Sequence, residues 1–193
     1  MPLYGPPVVL HPGYVAGRWI QPFATGALGL GTAMSNTSVR LLPFYVPSRL
    51  KIDRIGLRIT TLAAGGNVRC GIYRHDAALG VPTGEPLCDS GSMSTASTGL
   101  VAATVDATLE PDWYWQGVLA DNTTVNLQSV AGADPLIAQL VGTPTDSMSN
   151  DAATTSRAVA QYAATYGALP TIAPELVTWA TSLGSGIIRM RTA

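Results

Sequence analysis

The chain has 193 residues, with 11 basic and 12 acidic side chains and a formal net charge of −1. A chain of this length hides roughly 70% of its extended surface, so a single domain needs neither metal nor disulfide to hold a core. Charged residues make up 12% of the sequence against about 25% in typical soluble domains. The exterior is therefore built from Ser, Thr, Asn, Gly and Ala, which suits a protein packed in an assembly or outside the cell better than one kept soluble by charge.

Residues 1 to 17 hold four prolines and three glycines and read as an extended arm with little helix or sheet of its own. Such an arm either stays loose or gains order by lying on a neighbour. The start, Met1 to Pro7, lacks the basic head and apolar run of a conventional signal peptide. No stretch reaches 18 apolar residues, so no helical membrane span is expected. The predicted organisation is an arm over 1–23 and a β-sandwich over 24–193, with 131–183 as an insertion.

Trp19 to Phe23 reads as a short first strand or the end of the arm, and Gly26 to Thr32 is too glycine-rich for a core strand. Val39 to Pro47 is extended, but Pro43 and Pro47 cannot donate to a ladder, which predicts an edge position or a bulge. Arg54 to Thr60 alternates apolar with polar or small residues, the period of a strand, and Ile52 is out of phase with Ile55, Leu57 and Ile59. That mismatch predicts a bulge at Asp53 and Arg54. After Gly65-Gly66-Asn67, Val68 to Tyr73 alternates again, so the two strands are predicted to form a hairpin.

Residues 76 to 99 are rich in Gly, Pro, Ser and Thr, with a short strand predicted at Pro86 to Ser90, and Val101 to Leu109 alternates loosely. Pro111-Asp112 turns the chain into a tryptophan strand. Trp113 and Trp115, two apart, point to one side and Tyr114 to the other, and only one of these faces is expected to lie in the core. Thr124 to Val130 supplies a further strand with Val125, Leu127 and Ser129 inward.

Alternation then disappears. Val159, Tyr162, Ala163 and Tyr166 fall at helical spacing within Ser156 to Tyr166, so 131–183 is predicted to be a long decorated loop with one or two short helices. Gly186 to Arg191 closes the chain as a last strand near the first ones. The predicted core is Ile55, Leu57, Ile59, Cys70, Ile72, Trp113 and Trp115, the two tryptophans having an exposed aromatic platform as the alternative.

Catalysis would need a base held beside a nucleophile. The two histidines fall in the arm (His11) and in a turn (His75, next to Asp76), while Glu85, Asp89, Glu110 and Asp112 abut Pro, Gly or Ser in turn-like sequence. No catalytic residue, cofactor site or zinc site is expected. Asp121-Asn122 and Asp146 to Asp151 could offer oxygen ligands to calcium, though neither matches a calcium-loop spacing. Gly26 to Gly31 lacks the lysine that closes a phosphate loop. Arginines 40, 49, 54, 58 and 69 crowd the first third on what read as solvated strand faces, so no nucleic-acid partner is expected. Cys70 and Cys88 are too few for a disulfide scaffold, and a bridge between them stays open if their strands are neighbours.

Pro43-Phe44-Tyr45-Val46-Pro47, then Ile52-Asp53-Arg54-Ile55-Gly56-Leu57, then Arg69-Cys70-Gly71-Ile72-Tyr73 come in a characteristic order. They continue with Asp89-Ser90-Gly91, Ser94 to Gly99, and Leu109 to Trp115. This series, about residues 37 to 130 plus the final strand, resembles a module that recurs in tailed-phage structural proteins. Glu110-Pro111-Asp112 stands where relatives carry a tight Pro-Pro-Gly turn, and Cys70 where leucine is usual. The resemblance implies an antiparallel, jelly-roll-like β-sandwich in a virion, serving in a tail fibre, baseplate attachment or head decoration. It also implies other virion proteins as partners, a homo-oligomer with a trimer favoured, and no catalytic residues. A second reading from the residues alone is a carbohydrate-binding module stacking a surface glycan on aromatic side chains. Trp19, Tyr162, Tyr166 and Trp179 are the candidate glycan or subunit contacts.

Overall fold

The structure is a computed structural model that describes residues 11–22, 28–130, 159–180 and 184–193. It is an all-β sandwich of two antiparallel sheets, with strands numbered in chain order. One sheet runs β1 (Trp19–Ile20), β13 (Ile188–Thr192), β4 (Leu50–Thr61), β10 (Asn126–Val130) and β2 (Leu28–Ala33), with β8 (Gly99–Leu109) on the other side of β4. The other runs β12 (Thr178–Ala180), β11 (Val159–Ala163), β3 (Ser38–Val46), β9 (Asp112–Ala120), β5 (Asn67–Asp76) and β6 (Val81–Asp89), with β7 (Met93–Ser94) beside β5. The pairs β3–β9, β4–β8 and β5–β6 nest inside one another in sequence and alternate between the sheets.

The main core lies between the sheets. Ile55, Leu57 and Ile59 of β4 face Cys70 and Ile72 of β5, and all five are buried; each such aliphatic chain contributes about 1.5–3 kcal/mol on leaving water. The register of β4 slips between Ile52 and Arg54, so that Ile52 and Ile55, three apart, both point inward and are fully buried. Pro43 sits in the half of β3 beyond the reach of β11, which pairs only with Ser38 to Leu41, so its missing donor falls where β3 has a single neighbour.

Two polar side chains cross the sandwich. Gln116, on β9 and fully buried, donates from Nε2 to the Gly186 carbonyl at 2.9 Å and accepts at Oε1 from the Ile188 N–H at 3.0 Å. Arg40, on β3 and buried, donates to the carbonyls of Ala33 at 2.7 Å and Gly184 at 2.6 Å. Both bind the second sheet to backbone groups of the first. These links fix how far apart the layers lie.

Three sequence expectations are corrected. β4 and β5 are not a hairpin, because they belong to opposite sheets. Residues 62–66 carry the chain across the end of the sandwich, with Ala63 buried, its N–H bonded to the Thr95 carbonyl, and Gly65 at φ +73°. Crossing lets the two apolar rows cover each other, whereas side by side both would need a third layer. The partly helical insertion is absent from the described residues. Val159–Ala163 is a strand that pairs with β3 on one side and β12 on the other, and tertiary pairing has overridden a weak helical spacing. Among the described residues the only helical element is a single 3₁₀ turn at Pro174–Leu176. Residues 131–158 lie outside the described residues.

Residues 11–17 of the arm carry no strand, and β1 falls where a short first strand was expected from Trp19. β1 pairs with β13, the Gly17 N–H donates to the Thr192 carbonyl and the Thr192 N–H to the Arg18 carbonyl, each at 2.9 Å, and Tyr14 packs on the main core. Residues 1–10 lie outside the described residues. Finally, the tryptophan strand β9 has both faces covered. Tyr114 faces the main core while Trp115 enters a second one, and Trp113 is half-buried and belongs to neither.

A close approach at Gly56 holds β8 against β4. A Cβ there would press on the Val101 carbonyl and come within 2.9 Å of the Ala102 Cβ. Gly56→Ala is expected to cost about 2 kcal/mol in urea unfolding, against less than about 0.5 kcal/mol for Arg58→Ala, an exposed change on the same strand. Equal midpoints for the two variants would show that β8 does not sit this close.

Candidate functional site

The register of the second sheet builds an aromatic outer face. Leu41, Pro43 and Tyr45 of β3 stand opposite Gly117, Trp115 and Trp113 of β9, and Gly117 and Trp115 stand opposite Gly71 and Tyr73 of β5. Residues 164–177, between β11 and β12, cover part of this face as a strap. Leu169 and Ile172 from the strap join Val39, Leu41, Tyr73, Trp115, Leu119 and Ala160 in the second buried cluster. Gly71 permits the contact, since a Cβ there would meet the Cys88 carbonyl and come within 2.5 Å of the Leu169 Cδ1.

Polar bonds tether the strap along its length. The Tyr73 hydroxyl donates to the Pro170 carbonyl at 3.1 Å. The Leu169 N–H donates to Asp89 Oδ2 at 3.1 Å, and the same oxygen pairs with Arg69 at 2.8 Å. Ile172 and Gly84 exchange two backbone bonds of 2.9 Å. Tyr166 and Ser92 share a hydroxyl bond at 2.8 Å.

Beyond the strap the rings reach solvent. Trp115, wholly buried, is the hub: the Trp179 ring meets it edge-on at 6.0 Å and His75 stacks on it at 6.2 Å. The Trp115 Nε1–H donates to His75 Nδ1 at 3.0 Å, so neutral His75 carries its proton on Nε2. Next along the face, Tyr45 and Trp113 lie 5.4 Å apart. Tyr45 is 49% exposed and Trp179 38%, while Trp113 and His75 are half-buried. Rings held this way offer flat apolar surface with polar rims, suited to stacking on a sugar ring or on a partner's side chain. Tyr45 also lines a hollow of about 400 Å³ between the arm and the end of β3, together with His11, Tyr14, Pro47, Leu50 and Met190.

Of the four residues the sequence nominated as contacts, only Trp179 belongs to this band. Tyr162 and Tyr166 pack against the second cluster as half-buried walls, and Trp19 sits on β1 in the other sheet. Trp113, nominated for the core, is instead a surface member. Tyr45 and His75 were missed. The alternation of Tyr45 with inward-facing Phe44 and Val46 carried the signal for the first of them.

Several other carboxylates have structural duties. Asp76 accepts from the Ala78 and Leu79 N–H groups of its own turn, Glu110 pairs with Arg49, and Asp112 accepts from the Trp113 N–H. Asp121 accepts from the side chains of Asn67 and Asn122. Among the described residues no three His, Cys, Asp or Glu side chains are grouped to hold a metal; Asp146 and Asp151 lie outside them.

Cys70 and Cys88 are free and buried. Burial pushes the Cys88 thiol up to about 12, and raises Cys70 and the Tyr73 phenol as well. These groups ionise more readily in the unfolded chain, so the stability they contribute is whole below the ordinary thiol value of 9.0 and declines as pH rises beyond it. Thermal melts are expected to fall progressively above about pH 9, and neither thiol should react with a maleimide at neutral pH until denaturant is added. Rapid labelling of the native chain would contradict this placement.

No protein-family model matches the chain, and no curated protein matches it.

Proposed function

We propose that the chain is a structural subunit of a phage-like particle, acting in head or tail decoration, fibre attachment or host adhesion, with other virion proteins and its own copies as partners. The observation that carries this reading is the aromatic band on a charge-poor sandwich. Tyr45, Trp113 and Trp179 form a contact face on a surface with little charge to keep neighbours away. The motif series that resembles the phage module supports it, since its main pieces fall on β3, β4, β5 and β9, the strands that frame both cores. The nested, alternating pairs support it further, being a jelly-roll-like winding of the kind used by capsid and lectin domains. The test is fractionation of particles from producing cells, probed with an antibody to the chain. Banding with intact particles is the expected result, and presence only in the soluble fraction would overturn the reading.

A second reading uses the same band as a glycan-stacking platform, favoured by the fixed ring geometry around Trp115. The intact chain should then give a signal on a glycan array. Trp179→Ala and Tyr45→Ala should each weaken binding about tenfold, equivalent to about 1.4 kcal/mol, while both variants stay folded by far-UV circular dichroism. An array on which the intact chain binds nothing excludes this reading and leaves the particle role standing.

A further inference from the structure

Among the described residues, the sandwich closes most of its strand edges and leaves one open. β6 carries Pro82 and Pro86 and is bridged at Gly84 by Ile172. β1, β7 and β12 are only two, two and three residues long. β2 has six residues, two of them glycine. β8 is different: it spans 11 residues with no proline, lysine or arginine and one charge, Asp106, which faces Lys51 at 3.6 Å. Among the described residues its only hydrogen-bonded neighbour is β4. A long, nearly neutral edge of this kind, in regular register from Gly99 to Thr104, is a template for another strand.

The side chains agree with the backbone. Ile55 and Leu57 of β4 are fully buried, yet their register partners on β8, Ala103 and Val101, are only half-buried, as is Val105. Among the described residues the main core therefore ends open along β8, with the apolar side chains of Val101, Ala103 and Val105 at its rim.

We propose that β8 pairs antiparallel with β8 of a second copy of this chain about a two-fold axis, fusing the two six-stranded sheets into one. The sequence Val101-Ala102-Ala103-Thr104-Val105 is nearly palindromic in size about Ala103. With the axis there, Val101 meets the partner's Val105 on the core side, Ala103 meets its own counterpart, and Ala102 meets the partner's Thr104 on the outer side. Keeping the core side inward allows only shifts of whole two-residue steps. In this register no like charges stand opposite each other. An acidic or basic partner strand would find no complementary row of charge, whereas a second copy finds a match in shape. The pairing is independent of the particle role and of any glycan.

Light scattering on the full chain after size exclusion should give the mass of two chains. Ala102 and Thr104 are exposed on the outer side, so A102K/T104K places lysines opposite one another across the axis while leaving the core untouched. This variant should keep the native far-UV circular dichroism spectrum and run as one chain. Mixing it with A102E/T104E should restore a two-chain species containing one of each. A one-chain or three-chain mass for the natural sequence overturns the proposal, and so does a two-chain mass that survives in A102K/T104K. Should the lysine variant fail to fold, hydrogen exchange of the natural chain decides the matter: β8 amide protection that rises with protein concentration supports the pairing, and protection independent of it overturns the pairing.

Discussion

Trp115→Ala is expected to lower the unfolding free energy by about 4 kcal/mol. The side chain has no exposed surface, and it is the common neighbour of the strap, His75 and Trp179. Its removal opens a cavity that Gly117, two residues on along the same face of β9, cannot help to fill, and it leaves His75 Nδ1 without its donor. The strap should loosen before the sandwich does, because Leu169 and Ile172 would lose a wall while the main core keeps all of its own. Urea unfolding followed by far-UV circular dichroism measures the cost, and hydrogen exchange at 164–177 reports the loosening. Trp113→Ala is the matched comparison: half-buried, with its ring contact to Tyr45, it should cost about 1 kcal/mol. A Trp115→Ala loss no larger than that of Trp113→Ala would mean that the second cluster is no packed core.

This contrast between two tryptophans shows what alternation can and cannot reveal. Period two correctly places Trp113 and Trp115 on one side of β9, and it places Ile55, Leu57 and Ile59 on one side of β4. It carries no information on whether the far side of a sheet is wet. Here the strap covers that side at Trp115 and stops short of Trp113. The strap's contribution was illegible because its apolar residues, Leu169, Ile172 and Val177, are spaced by three and five and follow no single period; they come from an irregular crossing segment.

The same limit produced the mistaken hairpin. Alternation in Arg54 to Thr60 and in Val68 to Tyr73 reports that both strands bury one face, and Gly65-Gly66-Asn67 reports a change of direction. Whether that change is a tight turn within a sheet or an arch between sheets depends on where Ala63 and Thr95 find their hydrogen bonds, which are contacts distant in sequence. The bulge in β4 was legible because it breaks a phase within one strand. Tyr45 was half legible: its parity was visible in Phe44-Tyr45-Val46, but its pairing with Trp113 required the β3–β9 register. Val159–Ala163 shows propensity yielding to pairing, since Ala160 opposite Leu41 and Tyr162 opposite Val39 make sense only once β3 is in place.

Gln116→Leu is expected to cost about 2 kcal/mol although leucine nearly matches glutamine in volume. The substitution strands the buried Ile188 N–H and takes from the Gly186 carbonyl one of its two donors, the Ser185 hydroxyl at 3.2 Å being the other, and an orphaned buried group costs roughly 1–3 kcal/mol. The neighbouring apolar surroundings would welcome leucine, so a gain in stability is what burial alone predicts, and the sign of the measured change separates the two effects. Gln116→Glu sharpens the comparison. An ionised carboxylate still accepts from the Ile188 N–H but cannot donate to the Gly186 carbonyl, whereas a protonated one can do both. Burial raises the carboxyl's folded value above the unfolded one of about 4.3, so its stability is present at low pH and lost as pH rises through the folded value. Gln116→Glu should therefore melt nearest to the natural chain in acid and fall away toward neutrality. A difference from the natural chain that stays constant with pH would place position 116 in contact with water, and would remove the link by which β9 holds β13 across the sandwich.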